Sequence, residues 1–305
     1  MMRSVRRIIL AILCSAVLMV NSGCGTSDVP AVDPDIARSY DVSNIQEDSS
    51  ISALLPQNVK DKKILVVAAN ATYAPAEFLA SDGKTPVGYE IDLGKALAKV
   101  LGLEYKFVDA PFESIIPAIG SKYDIGLSGF TVNAERIKAV DFITYANAGL
   151  SFAVRKGNPT HASVSNLCGE RIAVQVGTVG ETQMYDAQDT CKAAGKPQIQ
   201  LLPFSGQNYV TTSLVAGQVD LMYGDTPVIG YSIKQTGNEL ELIGEDQDSA
   251  PMGIAIEKNN TAMVNAVKAA LDKLIHDGTY GKIMKQWGVS NIMIANPQVN
   301  PKTQE

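Results

Sequence analysis

Histidine is nearly missing from this sequence: His161 and His276 are the only two in 305 residues. They lie far apart, without cysteine or carboxylate partners at metal-ligand spacing. A zinc site or a Ser-His-Asp triad therefore has little raw material, and neither a metal nor a cofactor is expected. Phosphate and acyl-transfer motifs also fail. Gly88 to Lys95 faintly suggests a phosphate loop, but five residues separate Gly88 from Gly94, and Ala96 stands where the magnesium-binding hydroxyl belongs. Gly126-Leu127-Ser128-Gly129-Phe130 breaks the nucleophile-elbow pattern because Phe130 replaces its last glycine. Past residue 20 no apolar run reaches the roughly 18 residues a membrane helix needs. Positive charge is scarce as well, with 26 Lys and Arg against 32 Asp and Glu. Nucleic acid and anionic headgroups demand clustered positive charge, so neither is expected as a partner. The pattern of absences argues against an enzyme.

The first residues read as an address. Arg3, Arg6 and Arg7 precede a 13-residue apolar stretch, Ile8 to Val20, too short to span a bilayer and typical of a secretory signal over residues 1–23. Asn21-Ser22-Gly23-Cys24 resembles a bacterial lipobox, although Asn21 occupies a position that is usually apolar. That resemblance implies cleavage before Cys24 and a lipid on its thiol; ordinary cleavage near Gly23 is the alternative. Removing the three leader arginines leaves 23 basic against 32 acidic residues, a net charge of −9 for the exported chain. Residues 24–57, with Ser, Asp and Pro but no helix or strand period, read as a tether off the membrane.

Two cysteines then remain, Cys168 and Cys191, and an exported chain oxidises such a pair. The expected strand Glu170 to Val176 covers roughly 20 Å at about 3.3 Å per residue. The expected helix Thr178 to Ala194 returns about the same distance by Cys191 at about 1.5 Å per residue. An antiparallel return places the two thiols side by side; two buried free thiols are the alternative.

Strands and helices alternate through the remaining chain. Lys63 to Ala69 is a buried strand, Asp92 to Leu101 a helix stopped by Gly102, Glu104 to Asp109 a strand, Glu113 to Lys122 a short helix and Tyr123 to Leu127 a strand. The pattern recurs in Arg171 to Val176, the helix from Thr178, Ile199 to Leu202, helix Gln207 to Ala216, Val219 to Tyr223 and a helix from Thr226. Helices Asn265 to Ile275 and Tyr280 to Trp287 close the chain. Such repeats predict α/β lobes with parallel sheets covered by helices.

Ligands of such sheets bind beyond the carboxyl ends of the strands, where the polar motifs collect. Ser128 and Thr131 offer hydroxyls, and Gly129 permits close backbone approach. Asn133 can cap a short helix holding Arg136 in its first turn, a position unfavourable for a cation. Either Arg136 grips a carboxylate in bidentate fashion, or it is an exposed arginine paired with Glu135 or Asp141. Gly177-Thr178-Val179 joins a strand to a helix start and can hold an anion, or is simply a tight turn. Asp225 can cap the helix that follows it or receive an ammonium group. Tyr73 and Phe112 can wall a pocket.

Taken in order, these segments resemble the family 3 extracellular solute-binding proteins of polar amino-acid ABC transporters, over about Lys63 to Val289. The most specific stretch is Ser128-Gly129-Phe130-Thr131 through Glu135-Arg136-Ile137-Lys138-Ala139-Val140-Asp141-Phe142. Tyr73-Ala74-Pro75, Gly88-Tyr89-Glu90-Ile91-Asp92-Leu93, Phe112, Gly177-Thr178 and Asp220 to Asp225 support it. The resemblance implies a type II periplasmic-binding-protein fold: lobe 1 from residues 58–153 and 252–293, lobe 2 from residues 154–251, and a tail of residues 294–305. The crossings fall near Leu150 to Lys156 and Gly244 to Gly253. It further implies that Arg136, Thr131 and the Thr178 and Val179 amides take a ligand α-carboxylate, that Ser128, Gly129 and Asp225 take the α-ammonium, and that Tyr73 and Phe112 sandwich the side chain. Asn70 stands where binders of basic amino acids carry Asp, and Gln175 and Asn70 can bond an amide or hydroxyl. Ala76 replaces a bulky aromatic and leaves room. The implied role is capture of a small, neutral polar amino acid by a lipid-anchored monomer on the outer face of the cell membrane, and delivery to an ABC permease with its ATPase. A dehydratase-like enzyme on the same fold and a sensing module for a membrane receptor are the alternatives.

Overall fold

The computed structural model describes residues 34–303; the expected signal segment and Cys24 lie outside them. Three short helices come first, α1 (Pro34–Arg38), α2 (Ser49–Ser52) and α3 (Gln57–Lys62). The apolar run Ile-Leu-Val-Val makes strand β1 (Ile64–Ala69), followed by a small antiparallel sheet of β2 (Thr72–Tyr73), β3 (Glu77–Leu79) and β4 (Pro86–Val87). Next come α4 (Tyr89–Val100), β5 (Glu104–Asp109), α5 (Phe112–Ala118), β6 (Ile125–Gly126) and α6 (Ala134–Ala139). A 16-residue strand, β7 (Val140–Arg155), leads into β8 (Arg171–Gln175), α7 (Val179–Ala193), β9 (Gln200–Phe204), α8 (Gln207–Val215), β10 (Leu221–Asp225) and α9 (Thr226–Gln235). The 18-residue β11 (Leu240–Glu257) returns, and α10 (Thr261–His276) and α11 (Thr279–Gln286) follow.

Eight strands form one continuous sheet in the order β5-β1-β6-β11-β7-β10-β8-β9. β5, β1 and β6 are mutually parallel, as are β10, β8 and β9. Between these triplets run β7 and β11, antiparallel to each other from Val140↔Glu257 to Arg155↔Leu240, with register shifts between Ile243 and Gly253. This is a type II periplasmic-binding-protein architecture, two α/β halves with two strands crossing between them. The crossings are the central parts of two long strands, whose ladder is interrupted between Ile243 and Gln247 and again between Gln247 and Ala250. Each half is a three-layer sandwich. In the first, α4, α10 and α11 cover one sheet face and α5 with Phe130 and Phe142 the other; in the second, Met184 and Cys191 of α7 cover one face, and Val210, Leu214 and Ile229 of α8 and α9 the other.

The expected tether requires correction. Tyr40, Val42, Ile45 and Ile51 pack against the core of the first half, where Leu55 and Val59 are buried. The Tyr40 amide donates to Asp92 at 2.8 Å, and the Asp48 amide to the Val100 carbonyl at 2.9 Å. These apolar residues dock singly at irregular spacing, so no period announced them. The tail also packs: the Gln298 amide donates to Thr144, and Asn300 exchanges bonds with Phe142 beside β7. Helix α4 begins three residues before the expected Asp92, α5 ends at Ala118, and Ile125–Gly126 is all that forms of the expected strand Tyr123 to Leu127. Among the described residues no helix is long and apolar enough to cross a membrane. Cys168 and Cys191 form a disulfide with Cα atoms 5.6 Å apart.

Candidate functional site

The carboxyl ends of β1, β5 and β6 face those of β8 and β10 across a cleft. The first half contributes Tyr73, Phe112, Gly129, Thr131 and Arg136; the second contributes Thr178, Val179 and Asp225. These eight of the eleven residues expected from the sequence line one cavity of only about 10 Å³, room for roughly one water. The two halves are thus closed on each other, and anything larger than a water enters only when they part.

Arg136 sits in the first turn of α6, whose N-terminus is capped by Asn133 accepting from the Arg136 amide at 2.8 Å. Its guanidinium turns inward. It donates to the Thr131 carbonyl of its own half and to the Gly177 carbonyl of the other, both at 2.9 Å. It also lies 5.5 Å from the Phe112 ring centre and 5.8 Å from that of Phe130, which stacks on Phe112. The alternative partner Asp141 is bound instead to Lys258 at 2.8 Å. Burial lowers the Arg136 pKa, opposed by the charge of Asp225.

Asp225 ends β10 and stands at the N-cap of α9, yet its side chain makes no capping bond. It accepts instead from the Tyr73 hydroxyl across the cleft at 2.5 Å. Burial pushes its carboxyl up to about 7, against the lowering effects of the Tyr73 bond and of Arg136. Gly129 needs its positive φ of 57°, and a Cβ there would lie 3.2 Å from the Tyr73 ring. Thr178 caps α7, accepting from the Glu181 amide at 3.1 Å while Glu181 accepts from the Gly177 amide at 2.7 Å. This reciprocal cap fixes the turn that presents Thr178 and Val179 to the cleft.

Asn70, Ser128 and Gln175 are buried beside the cavity rather than lining it. Asn70 accepts from Thr72 and from Gln175 Nε2, the latter at 3.2 Å from the opposite half. Ser128 accepts from the Asn70 amide at 3.0 Å and donates to Glu77 at 2.6 Å. Ala76 belongs to the fully buried core and is not among the cavity residues; it leaves no extra room in the cleft, contrary to the expectation. Residues not selected from sequence also line the cavity: Leu150, Gly180, Gln207, Tyr223 and Gly224. Gln207 was findable, since it opens α8 directly after β9. Leu150 and Tyr223 lie within strands, where nothing in the local pattern marks them. Two amide atoms here are buried without hydrogen-bond partners, Gln175 Oε1 and Gln207 Nε2.

A closed two-lobed α/β fold with a guanidinium from one half and a carboxylate from the other defines a bilobal solute-binding protein. The sequence comparisons give its family. Residues 65–290 match the model of the bacterial extracellular solute-binding proteins, family 3, and the chain belongs to that family. It is 33% identical over 252 residues to the arginine-binding protein ArgT of Corynebacterium glutamicum, covering 82% of each chain. It is 31% identical over 225 residues to the ABC transporter arginine-binding protein 1 of Escherichia coli, covering 72% of this chain and 88% of that one. An ancestral arginine-binding protein, solved with arginine and again with glutamine, superposes with a TM-score of 0.68 at 34% identity, over 74% of this chain and 98% of the other. Each of these relatives is named as a binding protein.

Proposed function

We propose that this protein captures a neutral polar amino acid, glutamine foremost, outside the cell and delivers it to an ABC importer when its lobes close. The observation that carries capture of a zwitterion is the placement of Arg136 and Asp225 on opposite halves of one cavity. The α-carboxylate goes to Arg136, Thr131 and the amides of Thr178 and Val179, and the α-ammonium to Ser128, Gly129 and Asp225. Tyr73 and Phe112 flank the side chain. The lobes are residues 58–153 with 252–293, and residues 154–251; Cys24 carries the lipid that holds a monomeric protein at the membrane.

Across the closed cleft the protein's own groups bond one another. Tyr73 donates to Asp225, Arg136 donates to the Gly177 carbonyl, Gln175 donates to Asn70, and the Gln207 amide donates to Thr72. A ligand shifts the balance toward closure only by its differential affinity for that form. An ammonium on Asp225 and a carboxylate on Arg136 give each group an oppositely charged partner in place of a neutral one.

The side-chain preference rests on the two unpartnered amides. Gln175 Oε1 wants a donor and Gln207 Nε2 wants an acceptor; a carboxamide supplies both, whereas a guanidinium or ammonium only donates. The position of Asn70 likewise offers an amide and no carboxylate. Calorimetry with the twenty amino acids tests this, and tightest binding to arginine or lysine overturns the neutral assignment. Prolonged incubation followed by mass spectrometry of the ligand separates binder from enzyme, since only an enzyme returns altered ligand.

A further inference from the structure

Glu77 in β3 and Glu90 in α4 are fully buried, with 0% and 1% exposure, and no ligand role above uses them. Glu77 accepts from Ser128 and Glu90 from the next residue, Gly129, so the two buried carboxyls lie together beneath one turn. Two like charges buried side by side do not both ionise, so one carboxyl keeps its proton. The surroundings decide which group holds it. Glu90 accepts from the Gly129 amide, at 3.0 and 3.1 Å to its two oxygens, and from the Tyr145 hydroxyl of β7. A carboxylate so surrounded by donors is stabilised in its ionised form. Glu77 Oε1 accepts from Ser128 at 2.6 Å, while Glu77 Oε2 is buried and receives no bond, as an oxygen carrying the proton itself would.

The other groups facing this pair are Tyr73, Tyr89, Tyr105, Tyr145 and Asp225; no Lys or Arg forms an ion pair with either glutamate among the described residues. Burial pushes both carboxyls upward, Glu77 the further because the charge of Glu90 adds to it. One consequence concerns the turn above them. Two donors of that turn, the Ser128 hydroxyl and the Gly129 amide, are turned toward the glutamates. Those donors do not compete at the cleft, where an ammonium group needs acceptors.

We propose that Glu77 and Glu90 hold one proton between them, carried by Glu77, and that the charged Glu90 positions the Ser128–Gly129 turn for the ligand ammonium. The positioning half of this rests on the amino-acid reading above; the shared proton does not. Infrared spectroscopy at pH 7 on protein with 13C-labelled glutamate tests the proton directly. The expected result is a protonated-carboxyl band that shifts with the label and is missing in Glu77→Gln; a wild-type protein without such a band overturns the proposal. Calorimetry with the tighter-binding of L-glutamine and L-arginine tests positioning. Glu77→Gln keeps a donor toward Glu90 and an acceptor for Ser128, whereas Glu90→Gln removes the charge. Glu90→Gln is therefore expected to lose about tenfold or more affinity beyond any loss in Glu77→Gln; equal losses, or the reverse order, refute positioning. If wild-type protein binds no amino acid, the functional reading fails, while the infrared result still decides the proton. Should Glu90→Gln not fold, the wild-type spectrum alone decides whether a proton is held.

Discussion

Replacing Arg136 with alanine deletes the guanidinium that donates at 2.9 Å to both the Thr131 and Gly177 carbonyls. In the ligand-free protein the loss is moderate. Two bonds from a charged donor and the approach to Phe112 and Phe130 disappear, but so does the cost of holding a cation away from water. A net destabilisation of about 1–2 kcal/mol is expected. Ligand binding loses more, because the carboxylate is then buried without its cation: about 2–5 kcal/mol, or roughly 30- to 5,000-fold in affinity. Calorimetry on the folded variant measures this, with melting temperature as the control. The α-carboxamide of the same amino acid sharpens the assay. It lacks the carboxylate charge, so wild type should bind it weakly and Arg136→Ala should bind it hardly less well. An alanine variant that keeps the free amino acid within about threefold of wild type, or that weakens both compounds equally, refutes the carboxylate assignment.

Asp225→Asn is expected to weaken amino-acid binding by at least about tenfold while leaving α9 in place, since the side chain does not cap it. Its stability effect should depend on pH. With the folded pKa raised to about 7, the folded chain keeps a proton that the unfolded chain sheds above about 4. Wild type therefore loses stability as pH rises through that interval. The melting temperature of Asp225→Asn relative to wild type should climb between pH 4 and 7 and then level off; a flat difference contradicts the buried carboxyl. Cys191→Ser opens a loop with a sequence separation of 23 and should cost on the order of 3 kcal/mol, while denatured, unreduced protein lacking Cys24 and the leader should titrate no free thiol. A chain starting at Pro56 loses the Tyr40 and Asp48 bonds and the burial of Leu55. It should be destabilised by at least about 2 kcal/mol; an unchanged melting temperature would mean that residues 34–55 are a tether after all.

Much of the site was legible because its signals are local. A polar motif following an apolar strand, as in Ser128 to Arg136 or Gly177 to Val179, lies at a strand's carboxyl end wherever the sheet goes, and eight residues chosen on that ground line the cavity. The strand–helix alternation and the cysteine spacing likewise depend on rise per residue and hydrophobic period alone. Contacts between distant segments were not legible in this way. That Asp225 bonds Tyr73 rather than capping α9, and that Glu77 and Glu90 meet beneath Gly129, depends on residues up to 152 positions apart. The docking of Tyr40 to Leu55 is of the same kind, since isolated apolar side chains have a place only once the body they pack on exists. Local propensity and period set the elements and the loops that carry the chemistry. Which polar atoms find partners, and which buried carboxyl keeps its proton, was decided only when folding removed water from around them.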